Sequence, residues 1–273
     1  MRYLCSALLL VYSVFASGEV IIPVEIQYGN PIATATIGDQ RVRLIVDSGG
    51  YSLGLRSGIV ASLDIDQTEE MTSTTDVHGN TTESLSFKVP AIELGGHAFS
   101  NVSAYEWDMP APLAQRSPAI DGTLGRDFLN QYVAVYDYGN ATITLFDSNE
   151  QLTDSCKGVE VSLIQHPERI IATEIEVDHG RLRAIWDTGA THSFVKAHVA
   201  EEREFPLEAD EDTVGFYNSD TFGLGGSEFG PLDFVALPYS EPENIDAFVG
   251  RNVFARHVVC VNAPKGWLRI RPN

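Results

Sequence analysis

Two short motifs hold the residue types needed for acid–base chemistry. Asp47-Ser48-Gly49-Gly50 ends the apolar run Leu44-Ile45-Val46, and Asp187-Thr188-Gly189-Ala190 ends Ala184-Ile185-Trp186. If the fold brings Asp47 and Asp187 within hydrogen-bond distance, the two cannot both ionise, and the pair shares one proton. The ionised member can then take a proton from water while the protonated member donates to a carbonyl oxygen. Such a pair directs water at an amide carbonyl and needs neither a metal nor a nucleophilic side chain. The proton belongs to the pair, so neither aspartate is singly the acid or the base. Gly49 and Gly189 permit a tight loop in which backbone N–H groups reach each carboxylate. A single Asp before Gly at a strand end is usually a turn. The case therefore rests on two copies in matching surroundings.

The surroundings do match. Ile32-Ala33-Thr34-Ala35-Thr36-Ile37, a turn, and Arg41-Val42-Arg43 lead into the first motif; Ile171-Ala172-Thr173-Glu174-Ile175-Glu176-Val177, a turn, and Arg181-Leu182-Arg183 lead into the second. Later in each half comes Ile120-Asp121-Gly122-Thr123-Leu124-Gly125-Arg126-Asp127 or Ile245-Asp246-Ala247-Phe248-Val249-Gly250-Arg251-Asn252. Hairpins turning at Tyr138-Gly139-Asn140 and at Ala263-Pro264-Lys265-Gly266 close the halves. A repeat on this scale is one architecture used twice. Runs such as PIATATI, RVRLIV, SFKVPAIEL and ATITLF read as strands, and no dozen residues keep helical periodicity. The expectation is an all-β chain: residues 17–150 carry Asp47, residues 151–273 carry Asp187, and the join falls near 148–158.

The 273 residues include 18 Lys+Arg against 38 Asp+Glu, a formal net charge of −20. That balance argues against nucleic acid and against an anionic membrane surface as partners. Residues 1–16 read as a secretory leader: Arg2, an apolar run from Tyr3 to Phe15, then the small Ala16, Ser17 and Gly18. The run is short for a membrane span, and no later stretch approaches one. Secreted or periplasmic localisation follows. Outside the leader, Cys156 and Cys260 suit one disulfide closing the second half, the alternative being two small buried thiols. Asn80, Asn101 and Asn140 head glycosylation sequons.

Asp-Ser/Thr-Gly after an apolar strand, followed in the same half by apolar-apolar-Gly-Arg-Asp/Asn, resembles the aspartic proteases. The Gly-Arg-Asp/Asn ending is similar to the retroviral type, and two copies in one chain resemble the single-chain, two-lobed arrangement. The resemblance implies two pseudo-twofold-related β-barrel-like lobes of the pepsin/retropepsin type with an active-site cleft between them. It implies an aspartic endopeptidase with a catalytic Asp47/Asp187 dyad, no cofactor, no metal, and an extended peptide or protein substrate. A monomer would suffice. It also implies that Ser48 and Thr188 hydrogen-bond across the pseudo-twofold axis, and that Gly125 and Gly250 let a short helix pack beneath each loop. A flap hairpin should cover the substrate; His78-Gly79-Asn80 between strand-like runs is one candidate, and the glycine-rich Phe222–Ser227 is a second. The retroviral pattern places an Asp four residues after each catalytic Asp to receive the arginine. Tyr51 and Thr191 stand there instead, so the partners of Arg126 and Arg251 must lie elsewhere.

Other chemistries find no support. The seven histidines make no His-Glu-x-x-His, Gly-x-Ser-x-Gly is absent, and Phe222-Gly223-Leu224-Gly225-Gly226 lacks dinucleotide-binding spacing. The acidic run from Glu201 to Asp212 is a solvated face. The rival to the enzyme is a catalytically silent, peptide-binding or inhibitory protein on the same scaffold, which would have no need of a proton-sharing pair.

Overall fold

The computed structural model describes residues 18–63, 70–109, 119–148, 154–209 and 215–273. Residues 1–16, which read as a leader and include Cys5, and part of the expected join lie outside the described residues. Among the described residues strands dominate, the longest helix is the six-residue Ala197–Glu202, and no helix is long and apolar enough to cross a membrane.

The repeat in sequence is a repeat in hydrogen bonding. Strands Asn30–Ile37 and Gln40–Val46 form an antiparallel hairpin with Ile32 opposite Ile45. Ala172–Val177 and Gly180–Trp186 form its counterpart with Ala172 opposite Ile185. The strand leading into each aspartate also runs parallel to a short strand, Val46 beside Leu124 in one half and Trp186 beside Val249 in the other. Those short strands pair on their far side with Leu53–Leu55 and with Ser193–Lys196. Covered on both faces, such strands are apolar runs instead of alternations: Leu53–Leu55 and Ala247–Val249 are buried throughout.

The two halves are sewn together by the hairpins that end them. Val133–Asp137 pairs with His257–Asn262, placing Tyr136 opposite Val259 and Val135 opposite Cys260. Glu19–Gln27 and Val159–Ser162 extend this sheet at either side, giving the strand order Val159–Ser162, Trp267–Pro272, His257–Asn262, Val133–Asp137, Thr142–Phe146, Glu19–Gln27. Glu19–Gln27 then passes into the first lobe, where its later residues pair with Asn30–Ile37. Above the joining sheet the core is continuous between lobes: Tyr136 and Trp186 both meet the Phe254 ring edge on, and Tyr138 stacks against it.

Cys156 and Cys260 are bridged, with Cα atoms 5.4 Å apart and a sequence separation of 104. The bridge ties the Asp154–Cys156 turn, where the second half begins, to the joining sheet. Closing so long a loop restricts the unfolded chain strongly, so exchanging both cysteines for serine should cost about 2–5 kcal/mol, measured by urea unfolding.

Candidate active site

Each aspartate is fixed by its own strand and its own loop. The Asp47 N–H donates to Leu124 O at 3.0 Å and the Asp187 N–H to Val249 O at 2.9 Å, which extends the parallel pairing one residue into each motif. Beyond that point the chain turns back on the carboxyl. Gly49 and Gly50 N–H groups donate to Asp47 Oδ1 at 3.0 and 2.8 Å, and Gly189 N–H donates to Asp187 Oδ1 at 2.8 Å. The two side chains meet between the lobes, each carboxyl lying where the opposite loop has a glycine. Burial, then the negative charge and the hydrogen bond of Asp47, push the Asp187 carboxyl well above the usual carboxylate range.

The glycines answer a steric demand as well as a turn. A Cβ on Gly49 would lie 2.5 Å from Asp187 Cγ, and one on Gly189 would lie 2.6 Å from Asp47 Cγ. Each lobe therefore leaves out a side chain where the opposite lobe presents its carboxyl. Gly125 and Gly250 do the same for backbone: added Cβ atoms would lie 2.7 Å from Ser52 N and 2.1 Å from His192 O. That clearance lets the short helices Arg126–Leu129 and Arg251–Phe254 sit directly beneath the two loops.

Under the carboxyls, Ser48 and Thr188 lock the loops reciprocally. Ser48 Oγ donates to Trp186 O at 2.8 Å and accepts from Thr188 N–H at 3.0 Å. Thr188 Oγ1 donates to Val46 O at 2.7 Å and accepts from Ser48 N–H at 2.9 Å. Both side chains are buried, so each of these groups lacks access to water as an alternative partner.

The arginines follow no single rule. Arg126, 7% exposed, donates to Gly49 O at 2.9 Å and to Glu168 O of the other lobe at 2.9 Å. Its guanidinium also reaches the Glu168 carboxylate at 3.4 Å and lies over the Tyr51 ring at 5.5 Å. Tyr51 thus occupies the place of the missing carboxylate with an aromatic face, a weaker but charge-complementary partner. In the second lobe Arg251 packs instead beside Gly29, which leaves out a Cβ that would lie 2.8 Å from Arg251 Cδ. The carbonyl of Gly189, equivalent to that of Gly49, is taken by Asn30 Nδ2 at 2.6 Å. Asn30 and Glu168 carry no local motif, and only the long-range contact reveals them.

A cleft of about 970 Å³ opens above the two aspartates. Tyr105, Trp107 and Thr123 form part of its first-lobe wall and Ile185 and Phe248 part of the second. Burial raises the Tyr105 hydroxyl to about 12, partly offset by its hydrogen bond with Thr123. Glu70–Thr75 and Thr81–Leu94 form a hairpin with Thr75 opposite Thr81, and its turn hangs over the opening. Of the three turn residues predicted from sequence, Asn80 lines the cleft, while His78 packs against Tyr239 and Gly79 faces Ser240. Thr75, Asp76 and Val77, earlier in the turn, also line it.

The second proposed flap is placed differently. Gly223–Leu224 and Ser227–Glu228 form a small hairpin beside Glu176, Phe222 and Leu224 are buried, and an added Cβ on Gly225 would press on Val161 and Val159. These glycines serve a tight turn packed on the lobe's own strands. The topological counterpart of the first-lobe hairpin is Glu208–Ala209 with Gly215–Ser219, paired next to Leu232–Leu237; residues 210–214 at its tip lie outside the described residues.

Two measurements follow from the buried pair and the lock beneath it. Thr188→Val removes a hydroxyl from two buried backbone partners, and at about 1–3 kcal/mol per orphaned group urea unfolding should show a loss of roughly 2–6 kcal/mol. A carboxyl whose folded affinity for a proton is raised contributes stability at low pH that is lost as pH rises through the folded pKa. Asp187→Asn lacks that term. Its stability relative to the wild type should therefore increase from about pH 4, the unfolded carboxyl range, towards neutrality, as read from unfolding curves across pH.

Comparison with known proteins agrees with this architecture. Residues 33–128 match the family model for aspartyl protease. The aspartic proteinase from Irpex lacteus has a similar structure, with a TM-score of 0.64 and 14% sequence identity over 93% of this chain and 97% of that one. A search of curated protein sequences finds no match. The chain is thus similar in fold, over both lobes, to an aspartic proteinase, and similar in sequence over residues 33–128 to the aspartyl protease family.

Proposed function

We propose that the chain is an aspartic endopeptidase in which Asp47 and Asp187 are the catalytic residues. The observation that carries this reading is the pair itself: two carboxyls meet in one cleft, each in the space left by the glycine of the opposite loop, where burial and mutual repulsion favour one shared proton. A water held between them loses a proton to the ionised carboxylate as its oxygen bonds to the peptide carbonyl carbon. The carbonyl oxygen takes the proton of the other carboxyl, which leaves a neutral gem-diol. Proton return to the amide nitrogen, with loss of a diol proton to the dyad, breaks the C–N bond and releases an amine and a carboxylic acid.

Ser48, Thr188, Gly49 and Gly189 hold the pair, and the Asp76–Asn80 turn covers an extended substrate. One chain supplies both aspartates, so a monomer suffices. The leader at 1–16 directs export, residues 17–150 and 151–273 form the working lobes, and the bridged cysteines suit an oxidising compartment.

The test is cleavage of a mixed peptide library from about pH 3 to about pH 8, where a shared proton should give a bell-shaped profile. Rate falls on the acid side as the second carboxyl protonates. On the other side it falls as the shared proton is lost, above the ordinary carboxylate range because Asp187 is raised. Asp47→Asn and Asp187→Asn should each reduce cutting by about 10²- to 10⁴-fold. A folded wild type that cuts nothing at any pH would favour the peptide-binding alternative.

A further inference from the structure

The Asp76–Asn80 turn ends against the other lobe. Ser240 and Glu241 N–H groups both donate to the Val77 carbonyl oxygen, at 3.0 and 3.2 Å. The Val77 side chain packs with the second-lobe cluster that includes Ile170, Ile185 and Phe248. The His78 ring meets Tyr239 edge to face with centroids 5.1 Å apart. From the first-lobe side, the Asp76 carboxylate keeps the turn in one shape, accepting from the N–H groups of His78 and Asn80 and from Asn80 Nδ2, each at 2.9 Å.

The receiving loop lies between the strands Leu232–Leu237 and Ala247–Val249 and has no ladder of its own. The rings of Phe194 and Phe248 pack on its Tyr239, and a buried lysine holds its carbonyls. Lys196 Nζ donates to Ser240 O at 2.9 Å and to Pro242 O at 2.6 Å. Lys196 ends the strand Ser193–Lys196 and is 2% exposed. Burying an ammonium is costly unless its hydrogens find acceptors. Here they find the carbonyls that flank Glu241, with Glu241, Asp246 and Glu243 supplying opposite charge nearby.

We infer that the loop Tyr239–Pro242 is a docking ledge for the hairpin turn, and that Lys196 is a positioning residue for closure of the cleft. By drawing the carbonyls of Ser240 and Pro242 inward, Lys196 turns the Ser240 and Glu241 N–H groups towards Val77. The docking stands on this geometry alone; its kinetic consequence rests on the peptidase reading. An extended chain lying across Asp47 and Asp187 must enter beneath the turn, so the contact with the ledge opens and reforms around each substrate.

Hydrogen exchange of the Ser240 and Glu241 amides tests the docking without reference to activity. Both should be protected in the wild type and in Asp187→Asn, and should exchange on the order of tenfold faster in Asp76→Ala and in Lys196→Met, since one or two hydrogen bonds are lost. Lys196→Arg keeps the charge and should retain part of the protection. In peptide cleavage Lys196→Met should raise KM several-fold with kcat and the pH profile little changed, because the dyad is untouched. Asp76 is exposed, so its variant reports on docking even if Lys196→Met folds poorly, and Lys196→Arg then reports on the lysine. Equal exchange in wild type and Asp76→Ala would overturn the docking. Faster exchange in Asp76→Ala but wild-type exchange in both lysine variants would overturn the role of Lys196. Protection together with no cleavage by the wild type would uphold the ledge and sink the peptidase reading.

Discussion

Two buried carboxyls do not stay together of their own accord; ionised they repel, and each loses solvation by being enclosed. What holds them is the reciprocal pair of hydrogen bonds between Ser48 and Thr188. Each hydroxyl bridges a backbone carbonyl and a backbone N–H of the other lobe. The arrangement is closed: no donor or acceptor in it is satisfied unless the lobes are in register. The joining sheet and the Phe254 ring packing also hold the lobes together, but sheets tolerate small shifts that a pair of 2.7–3.0 Å bonds does not. The glycines at 49 and 189 belong to the same constraint, since the space they leave is the space the opposite carboxyl fills.

The twofold repeat explains the centre and fails at its edge. Both aspartate loops, both glycines beneath them and both short helices correspond. Away from the axis the halves diverge: Arg126 is buried between Tyr51, Gly49 and Glu168, whereas Arg251 lies beside Gly29 and leaves the Gly189 carbonyl to Asn30. An aromatic face in place of a carboxylate keeps Arg126 in position with less charge compensation, and the remainder comes from Glu168 across the lobe boundary. The requirement is common to both sides, namely a donor for the loop carbonyl, but different side chains meet it.

How much of this was legible in the sequence depends on how local each signal is. The two Asp-Ser/Thr-Gly motifs, the Gly-Arg pairs and the matching hairpins lie within short runs, and strand periodicity with turn residues was enough to read an all-β repeat. Asn30 was not legible, because the carbonyl it serves is 159 residues away, and neither was Glu168, 42 residues from Arg126. Glycine content misled over Phe222–Ser227, since a buried tight turn and a mobile covering loop use the same residue. The hairpin of the first half was legible in its strand–turn–strand pattern, but pattern alone does not say which turn residue faces inward. That is decided by Tyr239 and Ser240, which take up His78 and Gly79 and leave Thr75, Asp76, Val77 and Asn80 on the cleft.

The divergence at the edge has a consequence for any substrate with a direction. A peptide has no twofold axis, so a site with true twofold symmetry would accept it in either sense with equal affinity. Here, among the residues that line the cleft, Arg126 meets Tyr51 and Glu168, whereas Asn30 meets Gly189. The covering turn adds a second bias, because it leaves the first lobe and seats on the second. A symmetric pair of carboxyls can share a proton in either sense without preference. On the proposed peptidase reading, unequal walls around that pair give two opposed peptide orientations different energies. On that reading the departures from the repeat are compatible with the chemistry at its centre: symmetry would serve the proton, and asymmetry the direction of the bound chain.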